Sequence, residues 1–381
     1  MKKLIYALLG AAFLAACQSN KPEVSGTLTG VDSDTLLVRV YNTSDPNATA
    51  TLDTVPMKNG KFSFNVGDSV LKQVVIFAKP SSKPNADGSI PAMSMKAVYF
   101  PLIPGKKVTI SGSIEDYKLS GDAFYDELTA VDQSVKGITQ QLDSIVKIYN
   151  QLIQSGTPQD SILHVYDKAA GLRDAIQNVQ RNYIRQHLDK EVSLYLLSLL
   201  PTEIKMEMLD SIAEPVRTGV LAPIYQKAKK SVDKAIALQV AKEMVKEGAQ
   251  APAFTLKDIN GKDFSLASLK GKYVVLDFWG SWCGWCIKGM PDMKKLYNKY
   301  KGKVEIVGID CNDTEEKWKK AVAEHQLPWI NVRNEEERDV TTQYAVAAYP
   351  TKFIIDPNGK IVKIVVGEDE EFYTELEKML R

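Results

Sequence analysis

The sequence predicts three regions after a short leader: a small antiparallel β-domain over residues 17–118, an all-helical region over 119–246 with a long helical hairpin, and an α/β domain over 247–381. Three observations carry this. Between residues 24 and 115 apolar residues alternate singly, as strands with one buried face require. Between 120 and 245 they recur every three or four residues, the spacing of helices with one apolar stripe. Beyond 248, short apolar runs and helical patterns take turns, which implies a central sheet with helices on both faces.

Composition narrows the function classes. The 381 residues admit two or three domains of about 150 residues each. Hydrophobic residues at 44% and charged residues at 25% argue against wholesale disorder and against a polytopic membrane protein. Lys+Arg 48 against Asp+Glu 47 leaves a net charge of +1, so no global field exists to hold phosphate backbones and no nucleic-acid partner is expected. Four cysteines are too few for a disulfide scaffold, and three histidines leave little material for a His-rich metal site.

The leader is residues 1–16. Lys2 and Lys3 precede an apolar run over residues 4–13, the length of a signal-peptide core and too short for a mature membrane span. Leu14-Ala-Ala-Cys17 follows. It resembles the lipobox of bacterial lipoproteins, which implies cleavage before Cys17 and a lipid on its thiol; the other reading is an uncleaved anchor with an incidental cysteine. Several acyl chains hold a protein stably, at about 0.8 kcal/mol per buried CH₂. Gln18 and Ser19 stand where an acidic pair would. This resembles the outer-membrane address of Gram-negative lipoproteins and implies a periplasm-facing location in the cell envelope.

In the β-region, Asn59-Gly60 is a hairpin turn and residues 81–91 are a polar loop with Pro84, Asp87-Gly88 and Pro91. Val24-Ser-Gly-Thr-Leu, Asn59-Gly-Lys-Phe-Ser-Phe and Ile103-Pro-Gly-Lys-Lys-Val-Thr-Ile-Ser-Gly are similar to a β-rich domain of unknown function that precedes thioredoxin-like modules in Gram-negative lipoproteins. No chemistry is assigned to it. In the helical region, Phe124, Leu128, Val131, Val135, Ile138, Leu142, Ile145 and Leu152 form one stripe. Ile162, Val165, Ala169, Leu172, Ile176, Val179 and Tyr183 form a second after the Gly156-Thr-Pro break. The stripes suit an intramolecular seam or, alternatively, a homodimerisation arm. Helical sequence continues to about Val245.

In the α/β region, Asn260-Gly261 marks a hairpin turn and Val274-Val-Leu-Asp-Phe-Trp279 a buried strand. Cys283-Gly-Trp-Cys286 then opens a helix running to about Tyr300. Val304-Glu-Ile-Val-Gly-Ile309 is a second strand, and residues 314–326 are a helix. Phe353-Ile-Ile-Asp and residues 360–366 form a hairpin across Pro357-Asn-Gly359, and a last helix ends the chain.

The chemistry follows from the cysteine spacing. A Cys-x-x-Cys pair at a helix start puts both sulfurs on one turn, close enough to bond. The first faces unpaired N–H groups and the positive end of the helix, which favours thiolate. Cys283 is therefore the expected nucleophile in disulfide exchange, and Cys286, deeper in the helix, the resolving thiol. The exchange needs no metal or organic cofactor. Asp277, on the buried strand, has an environment that resists ionisation and suits it to accept the Cys286 proton; the plainer reading is a cap on the turn. Tyr349-Pro350-Thr351 precedes a strand, and Pro350 tolerates a cis bond at about 0.5–1 kcal/mol. A cis turn would expose the Tyr349 backbone for pairing with a substrate segment; otherwise it is an ordinary trans entry.

Asp277-Phe-Trp-Gly-Ser-Trp-Cys-Gly-Trp-Cys286 with Tyr349-Pro-Thr resembles the thioredoxin fold. Gly248-Ala-Gln-Ala-Pro-Ala-Phe-Thr-Leu and Asp356-Pro-Asn-Gly-Lys-Ile361 narrow the resemblance to its TlpA/ResA-like extracytoplasmic branch. It covers residues 248–381. It implies a thiol-disulfide oxidoreductase with Cys283 and Cys286 redox-active, Pro350 cis and Asp277 as buried acid. It further implies a membrane thiol donor as reductant and envelope proteins bearing thiols or disulfides as partners. Two departures stand out. Trp285 occupies the position before the second cysteine, where the family often has proline. Gly289 stands where many relatives carry glutamate, which puts more of any proton tuning on Asp277.

Trp282, Trp285 and Tyr349 would surround the nucleophile, as a dock for a partner segment or as local packing. Cys311 is either a third thiol near the pair or a buried inert one. A zinc site from Cys283, Cys286, Cys311 and His325 lacks a second close-spaced ligand pair. A peroxiredoxin-like reading shares the prelude at residue 248, but the residues ahead of Cys283 lack the Pro-x-x-x-Thr-x-x-Cys arrangement. The remaining alternative is an envelope scaffold lipoprotein with residues 17–245 as its working part and a vestigial redox domain.

Overall fold

The computed structural model describes residues 23–43, 50–67, 70–78 and 97–381. The leader, Cys17, Gln18, Ser19 and the polar loop over 81–91 lie outside the described residues. The chain divides into two compact units, residues 1–229 and 230–381.

Among its described residues unit 1 begins with eight strands: β1 (Val24–Thr29), β2 (Thr35–Asn42), β3 (Thr51–Pro56), β4 (Lys61–Phe64), β5 (Lys72–Ala78), β6 (Val98–Leu102), β7 (Val108–Ser113) and β8 (Tyr117–Ser120). They form two four-stranded sheets, ordered β4-β1-β7-β8 and β3-β2-β5-β6. Alternation decides their faces: Leu36, Val38 and Val40 of β2 are buried while their neighbours are not. Every described pair but one is antiparallel. The exception is β1 with β7, where the intervening sheet supplies the long crossover a parallel pair needs.

Six helices follow: α1 (Ala123–Gln154), α2 (Gln159–Gln186), α3 (Glu191–Leu199), α4 (Thr202–Met208), α5 (Glu214–Thr218) and α6 (Ala222–Met244). Asp122 caps α1 by accepting the Phe124 N–H. The α1 stripe is buried from Phe124 to Val135 and only half-buried beyond it, where α1 packs on α2. Tyr125, fully buried, ties α1 to the sheet: its hydroxyl donates to the Pro101 carbonyl at 2.9 Å and accepts from the Ile103 N–H at 3.3 Å.

Unit 2 holds a seven-stranded mixed sheet. Its elements are β9 (Thr255–Asp258), β10 (Asp263–Ser265), β11 (Tyr273–Trp279), α7 (Gly284–Lys299), β12 (Val304–Asp310), α8 (Glu315–Glu324), β13 (Ile330–Arg333), α9 (Val340–Gln343), β14 (Thr351–Ile355), β15 (Ile361–Val366) and α10 (Glu370–Leu380). The order is β10-β9-β13-β12-β11-β14-β15. β11, β12 and β13 run parallel, and β14 returns antiparallel to β11. The hairpin expected at Asn260-Gly261 is β9 with β10. The structure adds β13 and α9, each four residues long and too short for periodicity to register.

β11 separates two cores. Val275 and Trp279 face α7, α8 and α10, among Met290, Met293, Trp318, Phe372 and Leu376. Val274, Leu276 and Phe278 face the opposite core, with Phe254, Ile309, Tyr344 and Phe353. Period two therefore turns Asp277 toward the α7 side.

Tyr125→Phe would strand a buried donor and acceptor at once. It is expected to lower unfolding stability by about 1–3 kcal/mol, read as a reduced urea midpoint at unchanged slope.

Candidate active site

The functional residues gather where β11 ends and α7 begins. Cys283 is the N-cap of α7, and its Sγ accepts the Cys286 N–H at 3.2 Å. Cys283 and Cys286 are joined by a disulfide. Sequence places Cys286 deeper, but the two are almost equally buried, at 6% and 5% exposure, because the bridge holds both sulfurs against one core. The Tyr349–Pro350 bond is cis, and β14 starts directly after it.

Asp277 lies on the same side of the sheet, 7% exposed. Its Oδ1 has no hydrogen-bond partner among the described residues. Burial raises its carboxyl above the ordinary range; the Lys352 charge opposes the rise and Glu368 adds to it. The cap on the turn is a different residue, Asp313, whose carboxylate accepts the Ser281 N–H at 2.6 Å and the Ser281 hydroxyl at 2.7 Å. Sequence reasoning missed Asp313, Lys352 and Glu368. A lysine inside an apolar strand run, Thr351-Lys-Phe-Ile-Ile, was the one available signal.

The aromatic residues divide. Trp282 and Tyr349 meet edge to face with centroids 5.2 Å apart. The Trp282 indole donates to the Cys311 carbonyl at 3.0 Å and lies over Gly280, where any Cβ would overlap it. Trp285 instead carries the Lys288 ammonium 4.7 Å over its ring. Both tryptophans are exposed, at 53% and 62%, so neither is spent on core packing. Cys311 is fully buried and its side chain belongs to the core on the opposite face of the sheet from the bridged pair. Burial pushes its thiol up. That placement is the one the inert reading expects. Among the described residues no group of three or more His, Cys, Asp or Glu is placed to hold a metal ion, and no helix is long and apolar enough to cross a membrane.

A bridged Cys-x-x-Cys at a helix N-terminus, a buried acid on the adjoining strand and a cis proline opposite define a thioredoxin-fold redox domain. Comparison with known proteins agrees. A family model described as AhpC/TSA family matches residues 248–364. Thiol-disulfide oxidoreductase ResA of Bacillus cereus is 42% identical over 128 residues, 33% of this chain and 73% of that protein. ResA of Bacillus subtilis (strain 168) is 37% identical over 158 residues, 40% of this chain and 84% of that protein. Among solved structures, the thioredoxin domain of a thiol-disulfide oxidoreductase from Bacteroides vulgatus is 36% identical with a TM-score of 0.34, covering 36% of this chain and 99% of that one. The chain belongs to the ResA-like thiol-disulfide oxidoreductases, and its C-terminal domain is the part that does so.

A second buried acid gives a prediction. Asp310 ends β12 with neither carboxyl oxygen bonded among the described residues. Burial, then the Asp313 carboxylate, raise it from 3.8 to about 9. A carboxyl raised on folding contributes stability below its unfolded value and loses it as pH climbs through the folded one. Wild-type stability should therefore fall between about pH 4 and pH 9. Asp310→Asn should flatten that slope, as measured by urea unfolding across the range.

Proposed function

We propose that this protein is a membrane-anchored thiol-disulfide oxidoreductase that exchanges disulfides with cell-envelope proteins through Cys283 and Cys286. The observation that carries the reading is the bridged pair at the N-terminus of α7, with Cys283 Sγ accepting a backbone N–H and Asp277 on the same face.

In the reduced enzyme the Cys283 thiolate, favoured by the helix end, attacks one sulfur of a substrate disulfide. A Cys283–substrate disulfide forms and the other substrate sulfur leaves as thiolate. Asp277 takes the Cys286 proton. The Cys286 thiolate then attacks Cys283, closes the internal bridge and releases the second substrate thiolate. Two electrons have passed from the enzyme pair to the substrate, and the leaving thiolates take up two protons. A dithiol donor in the membrane reverses the sequence and regenerates the pair.

Trp282 and Trp285 flank the pair with exposed rings, which supports a dock for the substrate's disulfide-bearing segment. The anchor is the lipid on Cys17, and the periplasm-facing outer membrane is the proposed location. The half-buried outer part of the α1–α2 hairpin leaves Ile148, Ile153, Leu163 and Tyr166 exposed, which is compatible with a homodimer through that region.

Cys283→Ser should reduce insulin-disulfide turnover to background. Cys286→Ser should instead accumulate a covalent enzyme–substrate adduct that dithiothreitol releases. Turnover independent of Cys283 would favour the scaffold reading. Trp285→Ala should lower kcat/KM toward a protein disulfide about fivefold, the loss of roughly 1 kcal/mol of contact, and lower exchange with a small disulfide less.

A further inference from the structure

Asp277 is not the only charge beneath α7. Lys352 is its direct partner across the β11–β14 pair, so both side chains leave the same face of the sheet. Lys352 is 3% exposed, and a lysine so deep requires a counter-charge. Its Nζ lies 2.7 Å from Glu368 Oε2. Glu368 follows β15, and its other oxygen accepts the Tyr373 hydroxyl at 2.5 Å. The Glu368 carboxylate fills the space over Gly289, where any Cβ would overlap it. Gly289 lies one helical turn beyond Cys286. The side chain that α7 lacks at that position thus leaves room for a carboxylate delivered from the far end of the domain.

The charges do not balance. Two carboxyl groups face one ammonium in a site where Lys352 and Asp277 are buried and Glu368 is largely so. A buried lysine can neutralise one of them, and Glu368 has both the direct ion pair and the tyrosine hydroxyl. Asp277 keeps an unbonded oxygen and is the group left to hold a proton.

We propose that Lys352 and Glu368 are positioning residues of the redox site, a buried ion pair that governs when Asp277 takes up and gives back the Cys286 proton. This rests on Asp277 acting as the proton acceptor proposed above. The groups facing Asp277 are Lys352 on β14 and Glu368 after β15. Tyr373 on α10 and, from the opposite core, Cys311 beyond β12 feel its charge, Asp292 on α7 acts on Tyr373, and the bridged pair lies on the same face of the sheet. Burial holds Tyr373 and Cys311 well above their ordinary values, so both stay neutral through the working range. Asp292 is exposed and paired with Lys295 at 2.8 Å. The ion pair is therefore what sets the local charge. Negative Glu368 makes Asp277 the stronger base; positive Lys352 makes it the weaker one.

The two halves of the pair thus predict opposite shifts. In the full chain, Glu368→Gln should lower the midpoint of the Asp277 carboxyl titration, followed by carbon-13 NMR, by a pH unit or more. Lys352→Met should raise it by a similar amount, and the acid limb of the pH profile for insulin reduction should move with each. Lys352→Gln repeats the upward arm if Lys352→Met does not fold. A merely loosened fold would admit water and lower the midpoint in both variants. A midpoint unmoved in both, or lowered in both, overturns the proposal while wild-type turnover still stands. Turnover that does not need Cys283 overturns the reading beneath it, and the pair with it.

Discussion

Holding a buried carboxyl group on the face of the sheet that carries the bridged pair is the constraint around which the C-terminal domain is arranged. Taking an ionised carboxylate out of water costs several kcal/mol unless it is neutralised or paired. Asp277 meets this by position. It sits mid-sheet, with β12 on one side and β14 on the other, and the alternation of β11 points it under α7. The same alternation sends Leu276 and Phe278 into the opposite core, so strand register and acid placement are one decision. A slip of one residue would bury two apolar side chains against the disulfide and put the carboxyl among Phe254 and Phe353.

Much of this site was legible in the sequence, for a local reason. Cys283, Cys286 and Asp277 fall within ten residues, and each is a residue type whose chemistry is unusual at its place: paired thiols at a helix start, an acid inside an apolar strand. Pro350 stood out because it precedes a strand and proline tolerates a cis bond at low cost. Glu368 was not legible. It looks like one more acid in the stretch Glu368-Asp-Glu-Glu371, and only the folded chain sets it against Gly289, 79 residues away in number. The sequence reading took Gly289 as the loss of a carboxylate, whereas the fold supplies one from elsewhere. Asp313 was hidden in the same way, since its partner Ser281 lies on another loop.

The apolar stripes of α1 and α2 show the opposite case. Their spacing identified two helices and a hairpin, because period is a property of the local chain. It did not say how deeply the seam would be buried. The first three turns of α1 press on β8, where Thr129 exchanges hydrogen bonds with Leu119. Among the described residues the remainder packs on α2 and stays half open. Burial depends on what else the fold brings near, and that information is absent from a helical repeat.

The two raised acids of this domain are suited to different tasks. Asp310 is paired in register with Trp279 on one side and Arg333 on the other. Its carboxyl, pushed up to about 9, stays protonated at neutral pH and contributes no charge to the sulfurs. Asp277 has Lys352 opposite, which draws its proton affinity back down, and Glu368 beyond, which limits how far. A group that must accept a proton in one half-reaction and return it in the next needs a balance of this kind, with attraction and repulsion both close and neither dominant. Asp310 answers to a different pair of charges, the Asp313 carboxylate that raises it and the Arg333 guanidinium that opposes the rise. On the proposal made above, the Lys352–Glu368 pair is what sets the proton affinity of Asp277, whereas no such pair stands against Asp310 among the described residues.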